Sequence, residues 1–485
     1  MPEALHLGQP RVCASVLNTV RNQMHPLTLR VSILVAFTLA AVRAADAQYQ
    51  PIDLGTLGGT ESSAAAVNNN GQVVGYSYTA GNVEVHAFSW TAVGGMVDLG
   101  TLGGLVSFAF AVSENGQVVG SSHTGNNEVH AFSWTAAGGM VDLGTFGGSN
   151  SVAVDVSDSG RVVGSSMSAG NAATHAFSWT ASGGMVDLGT LGGPLSEARA
   201  VSESGQVVGY SYTAGNPEAQ AFSWTAAGGM VDLGTLRGGA SVSVDVSNRG
   251  QVVGYSAAAG AFSWTPSGGM VDLGTLGGAS YAYAVNEGGQ VVGYSYTAGN
   301  EYHAFAWTAA RGMIDLGTFG GGSSVAVDVS DSGQAVGYID TGYAFSWTAD
   351  GGMAGLGALP DDINSAATAV NNNGQVVGYS WGLDTIPHAT MWLLPITVTS
   401  ALDKLIDQVT AYSLQKGLTN ALTVKLKAAL ASWQTGRSNA AVHQIGAFVH
   451  QIIAKRDKAL TEAQADTLIR MANEIVQAIK TGTAL

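Results

Sequence analysis

The chain has 485 residues, of which 67 are Gly, with 19 Lys+Arg against 34 Asp+Glu and a net charge of −15. An ordinary apolar share of 46% excludes a disordered polymer, and the length exceeds one ordinary domain. The charge is unevenly placed: residues 48–395 hold 26 acids, five Arg and no Lys, a net of −21, whereas residues 396–485 are net +4. A field of that sign repels phosphate backbones and argues against nucleic acid as a partner. Cations, neutral glycans and basic proteins remain.

At the N-terminus an apolar run, Val31 to Val42, follows Arg30 and precedes Ala45-Asp46-Ala47. This is the pattern of a secretory leader with an A-x-A cleavage site, so residues 1–47 are expected to be removed and Gln48 to start the mature chain. The run is short for a membrane span; an uncleaved anchor is the alternative. Met24 is the expected initiator, because a start at Met1 makes the leader long. The single cysteine, Cys13, precedes the run and would leave with it. Disulfides then cannot hold the mature chain together. The expected localisation is secreted or cell-surface.

From Tyr49 to Trp392 one pattern recurs eight times, marked by Trp90, Trp134, Trp179, Trp224, Trp264, Trp307, Trp347 and Trp392 at spacings of 40 to 45. Each repeat reads Asp-Leu-Gly-Thr-Leu-Gly-Gly, a small-residue run, Asn-x-x-Gly-Gln-Val-Val-Gly and His-Ala-Phe-Ser-Trp. A period of this length means a propeller, a solenoid or an array. In the first repeat Ser63–Asn68 is small and apolar, Asn69-Asn70-Gly71 is a turn, and residues 72–78 are strand formers. A polar loop over 79–84 leads to alternating residues 85–90, then to a fourth short strand over 96–99. Four strands per repeat predict a mainly β fold, an eight-bladed β-propeller of four-stranded blades spanning 48–395.

The leading orphan strand, Tyr49 to Gly55, fits the last repeat, which has only three strands of its own, and would close the ring. The small-residue strand suits the crowded position nearest the axis. A register with the Asp-Leu-Gly strand innermost, and a right-handed β-solenoid, are the rival arrangements. The repeated Trp, Phe and Leu are expected to pack blade against blade.

Past Pro395 the period becomes helical. Leu402, Leu405, Ile406 and Val409 mark a first helix stopped near Gly417, and Thr419 is placed to cap a second, ended by Gly436. A third covers Ala440–Lys455. A fourth opens on the capping-box pattern Thr461-Glu462-Ala463-Gln464 and runs to Gly482. Residues 396–485 therefore predict a small four-helix bundle with core-facing apolar stripes. No membrane span is expected in the mature chain.

The repeat motifs closely resemble the HAF-repeat family of bacterial extracellular proteins over Tyr49 to Trp392. The tail resembles the FIMAH domain through Leu418–Leu426 and Gly446-Ala447-Phe448-Val449 leading to Leu460-Thr461. The resemblance implies secretion or a cell-surface location, and it carries no catalytic residues to transfer.

The repeat histidines His86, His130, His175, His303 and His388 lie one per repeat, so they are not expected to converge on one ion. Gln220, Gly260 and Tyr343 replace that histidine elsewhere, and Gly355 replaces an Asp of Asp-Leu-Gly. Asp155, Asp245 and Asp328 stand before Val-Ser in repeats three, five and seven, where the other repeats carry Ala. On an innermost strand they would ring the channel and attract a cation, Ca2+ being the candidate. The local alternative has each Asp bonding a neighbouring turn. Asp158-Ser159-Gly160 and Asp331-Ser332-Gly333 faintly resemble calcium loops without the closing acid. No nucleophile triad, zinc motif or phosphate loop is present.

The function expected is a secreted, non-enzymatic binding or structural module, with an extracellular glycan or protein as partner. The alternatives are a propeller-based glycan lyase or hydrolase, and a calcium-dependent adhesin. Two acids about 5 to 10 Å apart in a deep pocket would mark the hydrolase.

Overall fold

The computed structural model describes residues 49–393 and 398–481. The expected leader with Cys13, Met24 and Gln48, the domain boundary at 395–396 and the expected helix end at Gly482 lie outside the described residues. The regular structure of residues 50–393 is strand, apart from a single short 3-10 turn at Ala169–Asn171, and is built as repeated four-stranded antiparallel sheets. In the first repeat the strands are Gly58–Val67, Val73–Thr79, Val85–Thr91 and Gly95–Asp98. Single parallel bridges join the sheets of the first four repeats at their edges.

The first strand starts earlier than its small residues suggested. The two motif glycines ahead of the small-residue run, Gly58 and Gly59, already belong to it. A bulge between Ala64 and Ala66 adds a residue and twists the strand. The invariant glycine of Val-Val-Gly answers that twist. A Cβ on Gly75 would lie 2.0 Å from the Ser63 carbonyl oxygen, so any side chain there would drive the first two strands apart.

First strands of neighbouring repeats run beside one another, with Cα atoms within 8 Å, whereas fourth strands seldom meet. The small-residue strand is therefore the inner one. Each apolar cluster is shared by two repeats. Val74, Ala87 and Leu99 of the first pack with Ala109, Val118 and Phe132 of the second, and Trp134 lies against the same cluster. The Phe of His-Ala-Phe is fully buried in every repeat that has it, each worth about 1.5–3 kcal/mol of burial.

The orphan strand forms as expected. Gln50–Asp53 pairs antiparallel with Pro387–Leu393, Ile52 opposite Met391. Tyr49 reaches further back: its hydroxyl donates to Ser346 Oγ at 2.8 Å and accepts from Gln334 Nε2 at 3.0 Å. Both belong to the seventh repeat.

A serine near the start of each inner strand joins consecutive repeats. Ser196 is fully buried; its Oγ accepts the Ala176 N–H of the previous repeat at 2.9 Å and donates to the Gly189 carbonyl at 2.6 Å. The same joint recurs at Ser107, Ser151, Ser241, Ser280 and Ser324. It also appears at Ser62, which accepts from Ala389 of the last repeat at 2.9 Å.

The helical segment comprises Val398–Ala411, Lys416–Gln434, Ser438–Lys455 and Glu462–Thr481 around one core that includes Leu402, Leu426, Phe448 and Leu468. Two sequence expectations are corrected. Gly417 does not stop the first helix but lies in the first turn of the second, and Thr419 does not cap that helix; its Oγ1 bonds back to the Gln415 carbonyl at 3.5 Å. Ser413, at φ +49°, makes the turn instead, with the Tyr412 and Ser413 amides bonded to helix carbonyls. The capping box forms as read: Gln464 N–H donates to Thr461 Oγ1 at 3.2 Å and Thr461 N–H to Gln464 Oε1 at 3.0 Å. Among the described residues no helix is long and apolar enough to cross a membrane.

Ser196→Ala leaves the Ala176 N–H buried without its acceptor. It is expected to cost about 1–3 kcal/mol in urea unfolding, far more than an exposed Ser→Ala such as at Ser182.

Candidate functional site around the propeller axis

The inner strand of each repeat ends in the Asn-x-x-Gly turn, where the chain reverses on a glycine such as Gly71 at φ +76°. The second side chain of this turn reaches to the preceding repeat. Asn69 N–H donates to the Glu114 carboxylate at 3.0 Å, Glu114 N–H to Asp158 Oδ1 at 2.7 Å and Asp158 N–H to Glu203 Oε1 at 2.8 Å. The series continues through Asn248, Glu287 and Asp331 to Asn372. Asn372 N–H then donates to Asn69 Oδ1 at 2.7 Å, returning to the first residue.

Five of these eight side chains are carboxylates. All eight but Asp158 line a cavity of ≈ 310 Å³ whose wall also includes Val201, Val246, Val285, Val329 and Val370. The expected Asp158 and Asp331 loops are thus members of this ring. Glu114, Glu203 and Glu287 were missed. Their only sequence signal was an acid or Asn at one fixed place after Val-Ser or Val-Asn.

Asp155, Asp245 and Asp328 lie on the inner strands, but they are not brought onto one point as metal ligands. Each divides its two oxygens between two amides. Asp155 Oδ1 accepts Val156 N–H and Oδ2 accepts Val201 N–H, both at 2.8 Å. Asp245 does the same with Val246 and Val285, and Asp328 with Val329 and Val370. The second amide belongs each time to the next repeat's inner strand, not to a neighbouring turn, so the local alternative is corrected too. Among the described residues no group of three or more His, Cys, Asp or Glu is placed to hold a metal ion.

Burial raises all three carboxyl groups. Asp155 is pushed up to about 6, its backbone bonds opposing the shift and the Glu203 charge adding to it. Asp245 is pushed up to about 7, with the Asp155 and Asp328 charges adding to burial. Asp328 moves in the same direction. Asp245 thus senses the charges of the other two without touching them.

The histidines behave as a scaffold. His86 Nδ1 lies 2.8 Å from Asp98 Oδ2, and the pair recurs as His130–Asp142, His175–Asp187 and His303–Asp315, also at 2.8 Å. The same Asp accepts an amide two residues on, as Asp98 Oδ1 does from Gly100 at 2.7 Å. A constant twelve-residue offset was the unread signal. In the last repeat His388 turns instead to Asp362 at 3.3 Å.

Residues 399–477 match the FIMAH domain. No curated protein sequence matches the chain. Among solved structures, the chain is similar to TolB from Acinetobacter baumannii at 13% identity and a TM-score of 0.33, over 53% of this chain and 63% of that one. It is similar to the β-propeller domain of the Trilobed protease from Pyrococcus furiosus at 9% identity and a TM-score of 0.39, over 59% and 95%. A third is an acylaminoacyl peptidase from Pyrococcus horikoshii, at 10% identity and a TM-score of 0.41, over 69% and 59%. The chain thus spans under two thirds of TolB and of the peptidase.

The raised carboxyl groups make a signed prediction. Their protonated form is favoured in the fold, so the stability they lend is fully present below the ordinary value of 3.8. It is lost as pH rises through about 6 to 7. Stability measured by urea unfolding is expected to fall between about pH 4 and about pH 8, by about 1–2 kcal/mol for Asp245 once water along the axis is allowed for. Asp245→Asn should flatten that part of the slope, although the amide keeps only one acceptor oxygen and lowers the baseline.

Proposed function

We propose that residues 49–393 form one closed ring of eight blades and that the protein is a secreted HAF-repeat binding or structural module without catalytic activity, carrying a FIMAH domain at its C-terminal end. The carrying observation is where the repeated polar groups go. The serines, the His–Asp pairs, the turn side chains and the three inner aspartates are all committed to bonds within or between repeats. Conserved chemistry in this chain is mechanical. Closure is supported by the pairing of Gln50–Asp53 with the last repeat and by the Asn372–Asn69 bond.

Binding falls to the positions that differ from repeat to repeat. At the bulge of the inner strand stand Ala65, Phe110, Arg199, Tyr283 and Thr368, with Val in the other three repeats. Around the axis the acids set a field that favours neutral or cationic partners. Secretion is supported by the leader pattern alone.

The test is a screen of the purified chain against immobilised glycans and extracellular proteins, with product analysis of every glycan bound. Saturable binding without turnover is expected. Cleavage of any bound glycan would overturn the non-enzymatic reading. Closure has its own test: a chain lacking Tyr49–Gly55 loses the β-pairing and the Tyr49 bonds, and is expected to lose about 3 kcal/mol or more of stability by urea unfolding.

A further inference from the structure

The seventh repeat departs from the others in two residues that are partners elsewhere. Tyr343 stands where the histidine belongs, and Gly355, twelve residues on, stands where its aspartate belongs. Losing one would strand the other; here both are gone. The place they vacate borders a cavity of ≈ 360 Å³ lined by Phe319, Gly320, Gly321, Thr341, Tyr343 and Gly355, within the range of small-molecule sites.

Two aromatic rings frame it in the open. Phe319 is 55% exposed and Tyr343 47% exposed. Phe319 is also held at φ +51°, a conformation bulky side chains avoid, in a turn closed by Gly321 N–H to the Thr318 carbonyl at 2.9 Å. A ring kept on the surface at the expense of backbone strain is an observation that asks for a function. A Cβ on Gly355 would come 4.0 Å from the Phe319 ring, so a full aspartate there would crowd the cavity.

The rim is polar and carries no cation among its lining residues. Asp340 lies against Gly321 and Gly322, and Thr341 adds a hydroxyl. Tyr281, Tyr294 and Tyr302 form a ladder with ring centroids 4.9 and 5.4 Å apart. Burial, then the nearby Asp340 carboxylate, keeps the Tyr302 hydroxyl protonated and able to donate.

We infer that the Phe319–Tyr343 cavity binds a pyranose unit of a neutral oligosaccharide. The apolar C–H face of a pyranose fits the negative face of an aromatic ring. Its hydroxyls can bond Asp340, Thr341 and the bare backbone of Gly320, Gly321 and Gly355. The acidic surroundings disfavour uronate and sulfated glycans. A basic peptide would answer the charge but leave two flat rings without matching faces. The inference deepens the binding-module reading and rests on it.

The test titrates the purified chain, repeats and helices together, with cellotetraose, maltotetraose, mannotetraose and chitotetraose, following tyrosine-side-chain NMR shifts. Oligogalacturonate and a lysine-rich peptide are run as counter-probes. At least one neutral tetraose is expected to saturate. Phe319→Gly, which the backbone at this φ accepts, should weaken it at least tenfold. Tyr343→His combined with Gly355→Asp rebuilds the pair of the other repeats and should abolish binding, with circular dichroism and melting temperature preserved. Saturation by none of the neutral tetraoses, tighter binding of either counter-probe, or tetraose binding that survives both variants would overturn the inference. The last outcome leaves the binding-module reading standing with its site elsewhere, whereas failure of that reading shows as silence in the wider glycan and protein screen.

Discussion

A buried serine holds one repeat to the next. The Ser196 hydroxyl ties a third-strand amide of one sheet to the linker of the next, inside a joint that water does not reach. The Ala176 amide has no ladder partner in its own sheet, because the short fourth strand pairs with the third only from Phe177 to Thr180. Left alone it would be an unpaired buried donor. The joint converts a collection of weakly self-sufficient four-stranded sheets into a stack in which every sheet completes its neighbour. This is the economy of repeat proteins generally: no unit is stable alone, and the interface carries the difference.

The same logic explains how the chain does without covalent staples in its described part, which has no cysteine. The shared clusters of Val, Ala and Phe place apolar area between repeats, not within one. The ring of turn side chains adds a second, polar layer at the end of the inner strands. Each of its carboxylates accepts an amide, a charge-assisted bond stronger than its neutral equivalent. Against this stands the mutual repulsion of five acids and of three buried aspartates behind them. The raised values at Asp155 and Asp245 record their burial first, with neighbouring charges adding to it.

Much of this architecture was legible in the sequence. The period, the turn glycines and the alternation of His-Ala-Phe-Ser-Trp placed four strands per repeat, and the orphan strand Tyr49–Gly55 foretold a pairing with the last repeat, where Ile52 lies opposite Met391. The capping box at Thr461 was equally plain, because both its bonds are local. What escaped is what depends on a second repeat. Ser196 reads as merely small until Ala176 is seen beside it. Asp155 reads as a lone channel acid until Val201 donates to it. Gly417 misled for a different reason: a glycine near a helix boundary favours a stop, but the helix that follows needed its first turn there, and tertiary packing outweighed propensity.

A repeated chain also offers its own control. Where eight copies agree, the residue serves the joint; where one copy departs, the joint has been released. A single departure such as Gln220 still finds a bond, to the Gly239 carbonyl at 3.2 Å, so the scaffold repairs itself. Drift of that kind leaves no vacancy. The paired departure at Tyr343 and Gly355 is different in kind, since it removes donor and acceptor together and leaves space bounded by exposed rings. Loss by drift alone would relax toward small or polar residues and an unstrained turn. The phenylalanine at positive φ has not relaxed in that way.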